Sequence, residues 1–196
     1  MKKQTSEIRR EQIKKAVLEI ITKEGLHNLS IRNLAKIVGI TEGAIFRHFK
    51  SKREIILSIL NDVRNELMSE LRDIAQSTYS AREKLLRYLS CHIEYIAKNK
   101  GISILLFSDA AHLNYKVLRT RLRSILSEQE ALIVGIVQDG IKAGVWNKKV
   151  NVNDFAVLYM SIPIALNVEM IFNGTDLNIK DFSKRMFDLI ITILKK

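Results

Sequence analysis

The stretch Ile40 to Ile55, ITEGAIFRHFKSKREI, gathers aromatic, basic and histidine side chains around a short helical pattern. Thr41 is placed to cap the start of a helix, Glu42 follows where the helix dipole favours an acid, and Ile45 and Phe49 stand four apart on one apolar side. The residues left over, Thr41, Glu42, Gly43, Phe46, Arg47 and His48, form an outward face, with Lys50 and Lys52 just beyond. Immediately upstream, Ser30 caps a second short helix with Ile31, Leu34, Ala35 and Val38 inward, closed by Gly39. Only Gly39 and Ile40 separate Val38 from Thr41, so the pattern predicts two short helices joined by a tight turn, a helix-turn-helix. A face of this kind suits DNA: a glycine lets backbone approach a groove, Phe46 can touch a thymine methyl or a sugar, and Arg47, His48 and Lys52 can reach base edges or phosphates.

The rest of the chain reads as helices. Before the motif, Ile13, Ala16, Val17, Ile20 and Ile21 make an apolar stripe that stops at Gly25. After it, Ser51-Lys52-Arg53-Glu54 has capping-box form and opens one long helix through Ile56, Leu60, Val63, Leu67, Leu71 and Ile74. Ser80 repeats the signal before Leu85, Leu86, Leu89, Ile93 and Ile96. A short helix around Ile102 to Ala111, a longer one from Tyr115 to Ala143, and a loop over VWNKKVNVN follow. From Asp154 to Phe172 the sequence is apolar nearly all round, so that helix must be covered on every side. The last helix, Ile179 to Lys195, sets Phe182, Met186, Leu189, Ile190 and Ile193 at helical spacing, and two adjacent apolar helices fit a self-association surface. The expected fold class is all-α, with about nine helices.

Composition narrows the classes of function. The net charge is +11, and residues 1 to 54 hold 13 basic and 6 acidic residues against 19 and 15 in the remainder, so a basic N-terminal region precedes a nearly balanced one. That asymmetry points to a polyanion reader with an appended module. The single cysteine, Cys91, excludes an internal disulfide framework, and the charged first residues lack the apolar core of a secretory signal, so a cytoplasmic location is expected. Cys91 and its neighbour His92 point about 100° apart on a helix, and His27, His48, His92 and His112 show no ligand spacing, so no metal and no cofactor is expected. Without a Gly-rich phosphate loop, a nucleophile elbow or a supported carboxylate pair, no enzymatic activity is expected. The apolar segment around Pro163, Asn167 and Glu169 is interrupted by those residues and lacks flanking basic asymmetry, which argues against a membrane span.

Taken together, residues Ile8 to Leu60 resemble the TetR (tetracycline repressor-like) family of bacterial regulators. The likeness lies in GLHNLSIRNLAKIVGITEGAIFRHFKSKREII, with its LSIRNLA second helix, its VGI turn and its aromatic-x-His-Phe-x-x-Lys ending. The resemblance implies a helix-turn-helix DNA-binding domain over residues 1–51 and a helical ligand-binding and dimerisation domain over 52–196, the helix from Lys52 linking them. It implies backbone or outer-base contacts for Ile31 and Arg32, major-groove entry at Thr41, Glu42, Gly43 and Ala44, and phosphate contacts at Phe46, His48 and Lys52. Phe46 departs from the family's usual tyrosine and lacks its hydroxyl, so only an apolar contact is expected there. Arg47 is the strongest single candidate for base or phosphate contact.

The resemblance further implies a homodimer formed through the last two helices, bound to a palindromic operator as a repressor and released by a small-molecule effector. Tyr95, Phe107, His112, Tyr159, Asn167 and Glu169 are the candidate lining residues of an effector pocket. Two other readings stand beside this one: a DNA-binding protein of the same fold that has no effector and serves chromosome organisation or activation, and a helical scaffold using its basic end on anionic lipid.

Overall fold

A computed structural model describes residues 5–105, 116–173 and 178–196, all of them in helices, turns and loops, with no strand among them. The chain divides into two compact units: residues 1–63 with 99–122, and residues 64–98 with 123–196. The division falls inside a helix, between Val63 and Arg64.

The first unit is built on α1 (Ser6–Glu24), α2 (Ile31–Val38), α3 (Glu42–His48) and α4 (Lys52–Asn65). The predicted stripe of α1 is its buried face, and Ile13, Val17, Ile20 and Ile21 join Leu34, Ile45, Phe49, Ile55 and Ile59 in one core. Polar contacts fix how the helices enter and leave. Ser30 Oγ accepts from the Asn33 amide at 3.1 Å, and Asn33 Nδ2 donates to Glu24 Oε2 at 2.7 Å, tying the start of α2 to the end of α1. Gly39 takes the left-handed conformation (φ 71°, ψ 38°), with its amide donating to Lys36 O and the Ile40 amide to Ala35 O, the arrangement that ends a helix sharply. Lys14 is buried and donates to Asp62 at 2.5 Å, joining α1 to α4. Burial works against its charge, but the bonds to Asp62 and Glu11 outweigh that and raise its pKa above the usual lysine value.

Gly101 explains how residues 99–122 belong to this unit. Its φ is +83°, and a Cβ there would lie 2.6 Å from Thr22 Oγ1 and 2.8 Å from Leu18 O on α1. Only glycine allows that approach.

In the second unit α6 (Ala81–Lys98) packs against α5 (Leu67–Gln76), α8 (Val152–Asn173) and α9 (Ile179–Ile190), and α7 (Lys116–Lys142) belongs to this unit from Arg123 onward. Its centre is aromatic: Tyr159 lies 6.2 Å from Tyr88, edge-on, and 5.8 Å from Phe155. Nine helices of seven or more residues occur among the described residues.

Three features differ from the sequence pattern. The helix expected to run unbroken from Lys52 past Ile74 is divided at Glu66, where ψ falls to −71°, into α4 and α5. No glycine or proline marks the break, and the apolar stripe Leu60, Val63, Leu67, Leu71 continues through it, which is why periodicity does not show it. Along α9 and the turn that follows it, the inward residues are Phe182, Phe187, Ile191 and Leu194, while Leu189 and Ile193 are exposed. The chain tightens to a 3-10 turn at Ile191–Leu194, so the last residues depart from the 3.6 period used to predict them. The short helix expected over 102–111 is seen only at 102–105, its remainder lying outside the described residues.

Candidate nucleic-acid interface

α3 is seven residues long and buries only Ile45. A helix this short has little cooperativity of its own, so its place depends on its ends. Thr41 Oγ1 accepts from the Ala44 amide at 3.1 Å, and the Phe49 amide closes on Ile45 O at 3.0 Å. The next helix is capped in turn, Ser51 Oγ accepting from the Glu54 amide at 3.2 Å while Glu54 Oε2 accepts from the Lys50 amide at 2.8 Å. The capping box predicted here forms, with its return bond shifted one residue upstream.

These ends turn the expected face outward. Thr41, Glu42, Gly43, Phe46 and Arg47 are exposed, with Ala44 and His48 half-buried. Phe46 shows 49 % of its surface, a large apolar ring with nothing of its own fold to cover it. A Cβ on Gly43 would meet no atom within 4 Å, so the interior gives no reason for glycine there, as expected where another molecule approaches. Arg32 is exposed and Ile31 half-buried at the start of α2, and Lys52 is exposed at the start of α4, its Nζ 3.5 Å from Leu29 O.

His48 sits among three arginines. Burial, then the charges of Arg9, Arg10 and Arg47, lower its pKa below the ordinary histidine value. Ser6 Oγ lies 3.3 Å from its Nδ1. That contact occupies Nδ1 and leaves Nε2 as the ring nitrogen available to a phosphate.

Arg10, absent from the sequence-based candidates, meets this motif from α1: it donates to the His48 carbonyl, lies 3.9 Å from the Phe49 ring centroid and 3.9 Å from Glu54 Oε1. No local spacing signals this, because the partners are at least 38 residues away.

The effector candidates are scattered. The Tyr159 ring is buried and its hydroxyl donates to Leu85 O, Tyr95 and Asn167 are half-buried, Glu169 is exposed, and Phe107 and His112 lie outside the described residues. Two cavities lie elsewhere in this unit. One, of about 500 Å³, runs along α5 and α6 past Asp73, Tyr79, Arg87, Cys91 and Glu94; the other, of about 400 Å³, is bounded by Arg82, Trp146, Asp188, Ile191 and Lys195. Cys91 donates to Glu70 at 3.2 Å, and burial, reinforced by that carboxylate, pushes its thiol up to about 12, so it stays protonated and unreactive. Among the described residues no group of three or more His, Cys, Asp and Glu could hold a metal ion, and no helix is long and apolar enough to cross a membrane.

A capped two-turn helix, set one tight turn after another and presenting an exposed aromatic and cations, defines a helix-turn-helix reader of DNA. The chain belongs to the tetR family of bacterial regulatory proteins: the family's N-terminal pattern matches residues 13–59, and that of the YsiA-like C-terminal region matches 60–193. It is therefore a DNA-binding transcriptional regulator. The fatty acid metabolism regulator protein of Bacillus subtilis is 26 % identical over 133 residues, 68 % of each chain. The nucleoid occlusion factor SlmA of Marinobacter nauticus is 27 % identical over 132 residues, 67 % of this chain and 68 % of the other. Among solved structures, the ketosteroid transcriptional regulator KstR2 of Mycobacterium tuberculosis superposes with a TM-score of 0.83 at 19 % identity over 96 % of this chain and 95 % of the other. FadR from Bacillus subtilis in complex with stearoyl-CoA gives 0.73 at 21 % over 94 % and 98 %. At these identities the structural likeness speaks for the fold.

Proposed function

We propose that the protein is a homodimeric repressor that reads a palindromic operator with α3 and leaves it when a small-molecule effector binds the second unit. The observation that carries the DNA reading is the outward face of α3, where a half-exposed phenylalanine and an internally unneeded glycine stand beside Arg47 and His48. Dimerisation draws support from the exposed apolar residues Val157, Leu158, Ile164 and Val168 on α8, Leu189 on α9 and Ile193 in the turn after it, large apolar side chains that a self-association surface would cover. A two-fold dimer would present two copies of α3, and a palindrome is the DNA counterpart of that symmetry. Acting on DNA, the protein works in the cytoplasm, and it has no catalytic role.

For the effector we propose a long-chain acyl-CoA, by relationship to the fatty acid metabolism regulator of Bacillus subtilis. Tyr95, Tyr159, Asn167 and Glu169 remain the proposed lining within the second unit, while the candidates Phe107 and His112 lie outside the described residues. Release requires only that the effector bind the conformation unable to hold DNA more tightly than the one that does.

The test is selection of duplexes from a random pool, followed by anisotropy on the winner and titration with stearoyl-CoA. Trp146 provides the companion signal, being the only tryptophan and buried beside a cavity of the second unit. A recovered palindrome that is released by stearoyl-CoA as Trp146 emission changes is the expected result. Relatives named as nucleoid occlusion factors favour a second reading, DNA binding without an effector in chromosome organisation. Tight palindrome binding indifferent to acyl-CoA would favour it.

A further inference from the structure

Arg10 stands on α1, away from the outward face of α3, yet its guanidinium reaches three groups that belong to three consecutive pieces of the motif. His48, whose carbonyl it bonds, ends α3; Phe49, whose ring it covers, is the C-cap; Glu54, which faces it, lies in the first turn of α4. Glu54 is itself bound to the Lys50 amide and to Ser51, so these bonds in the turn from α3 into α4 meet at a residue that faces Arg10.

We propose that Arg10 is a positioning residue for DNA reading: it fixes the C-terminal end of α3 and the turn into α4, so that Phe46, His48 and Lys52 meet one DNA backbone in register. This rests on α3 being the reading helix. The last carbonyls of a two-turn helix lack partners in the helix itself, and a cation there both satisfies one and complements the dipole. Arginine suits the place because a planar fork can lie flat on an aromatic ring while donating in its own plane, whereas a lysine ammonium is a point charge that does one or the other. The Arg10 side chain is 36 % exposed and its ion pair with Glu54 is 3.9 Å long, so the pair adds little stability of its own. The core around Ile13 and Val17 and the Lys14–Asp62 bond hold α1 in place without it.

The experiment compares wild type, Arg10→Lys and Arg10→Gln on the duplex that wild type selects from a random pool and on a scrambled duplex, with thermal unfolding of each. Both variants are expected to stay folded at the assay temperature and to lose about 10-fold on the selected duplex, the scale of one charge-assisted hydrogen bond. Arg10→Lys is expected to bind the scrambled duplex as wild type does, since its charge is unchanged. Wild-type affinity of Arg10→Lys for the selected duplex would overturn the proposal, because charge alone would then suffice; so would a loss equal on both duplexes. Should either variant fail to fold, Glu54→Gln carries the test, because glutamine still accepts from the Lys50 amide but no longer holds the guanidinium. About a 3-fold loss of discrimination is expected from it, the modest scale of a partly exposed ion pair; no loss would overturn the proposal. If wild type selects no duplex at all, the reading beneath this proposal fails with it, whereas an indifferent Arg10→Lys removes only Arg10.

Discussion

α3 and α8 are both helices that look outward, and they are made by opposite means. α3 buries one side chain and is placed by directional contacts: the Thr41 cap, the Gly39 turn, the Ser51 and Glu54 bonds, and Arg10. α8 has 22 residues, apolar on nearly every side, and is placed by burial of Phe155, Tyr159, Ile162 and Leu166 while Val157, Leu158, Ile164 and Val168 stay exposed. Directional contacts need particular residue types at particular spacings, and burial needs only apolar bulk. A DNA-reading face and a self-association face therefore respond to different kinds of damage.

The largest effect should come from the apolar face. Val157→Asp with Val168→Asp places two carboxylates where we propose a dimer seam, and two-fold symmetry doubles them. Dimer affinity is expected to fall by at least about 1,000-fold, given the cost of burying unpaired charge. Analytical ultracentrifugation reads this directly, and a dimer of unchanged strength would move the seam elsewhere.

Two glycines separate stability from reading more finely. A Cβ at Gly140 would lie 2.2 Å from the Trp146 ring, so Gly140→Ala is expected to cost about 2 kcal/mol and lower the melting temperature by about 4–8 °C. Gly43→Ala meets nothing internally and should raise helix stability by up to about 1 kcal/mol. Its cost should appear only on DNA, on the order of 10-fold, the scale of one lost groove contact. If Gly43→Ala bound DNA as well as wild type, close approach at the start of α3 would be ruled out.

Two histidines make the same contrast in pH. Burial brings His92 down to about 4, below the ordinary value it regains on unfolding. The unfolded chain then binds the extra proton between pH 6.5 and 4, so stability is lost as pH falls through that window, by up to about 3 kcal/mol. His92→Gln should flatten the urea-unfolding profile there. His48 is also lowered, but a phosphate beside it would favour its charged form. DNA binding should therefore tighten a few-fold, about 0.5–1 kcal/mol, as pH falls below 7, and His48→Gln should remove that slope without changing the stability profile of His92.

The same contrast explains what could be read from the chain without a structure. Thr41, Ser30, Gly39 and the Ser51/Glu54 pair are local chemistry within four residues of their partners, so the reading helix, its turn and its outward face followed from sequence. Arg10 acts across 38 residues and left no local trace. The break at Glu66 is hidden because an apolar stripe that continues through it has no feature that distinguishes one helix from two consecutive ones. In α8 the lack of a polar side removes the phase by which an inward face is assigned. The effector candidates named there were chosen for chemistry alone, and Tyr159, whose hydroxyl is bonded to Leu85 O, shows that a polar group in an apolar run can be satisfied within its own fold.

DNA reading by this protein depends on the outward face of α3 and the start of α4. The most direct measurement is the affinity of Arg47→Ala/Lys52→Ala for the selected duplex across a salt series. We predict a large loss, with the slope of log affinity against log salt shallower by about 1–2, as expected when one or two phosphate contacts disappear. Unchanged affinity and unchanged slope would show that this face does not read DNA.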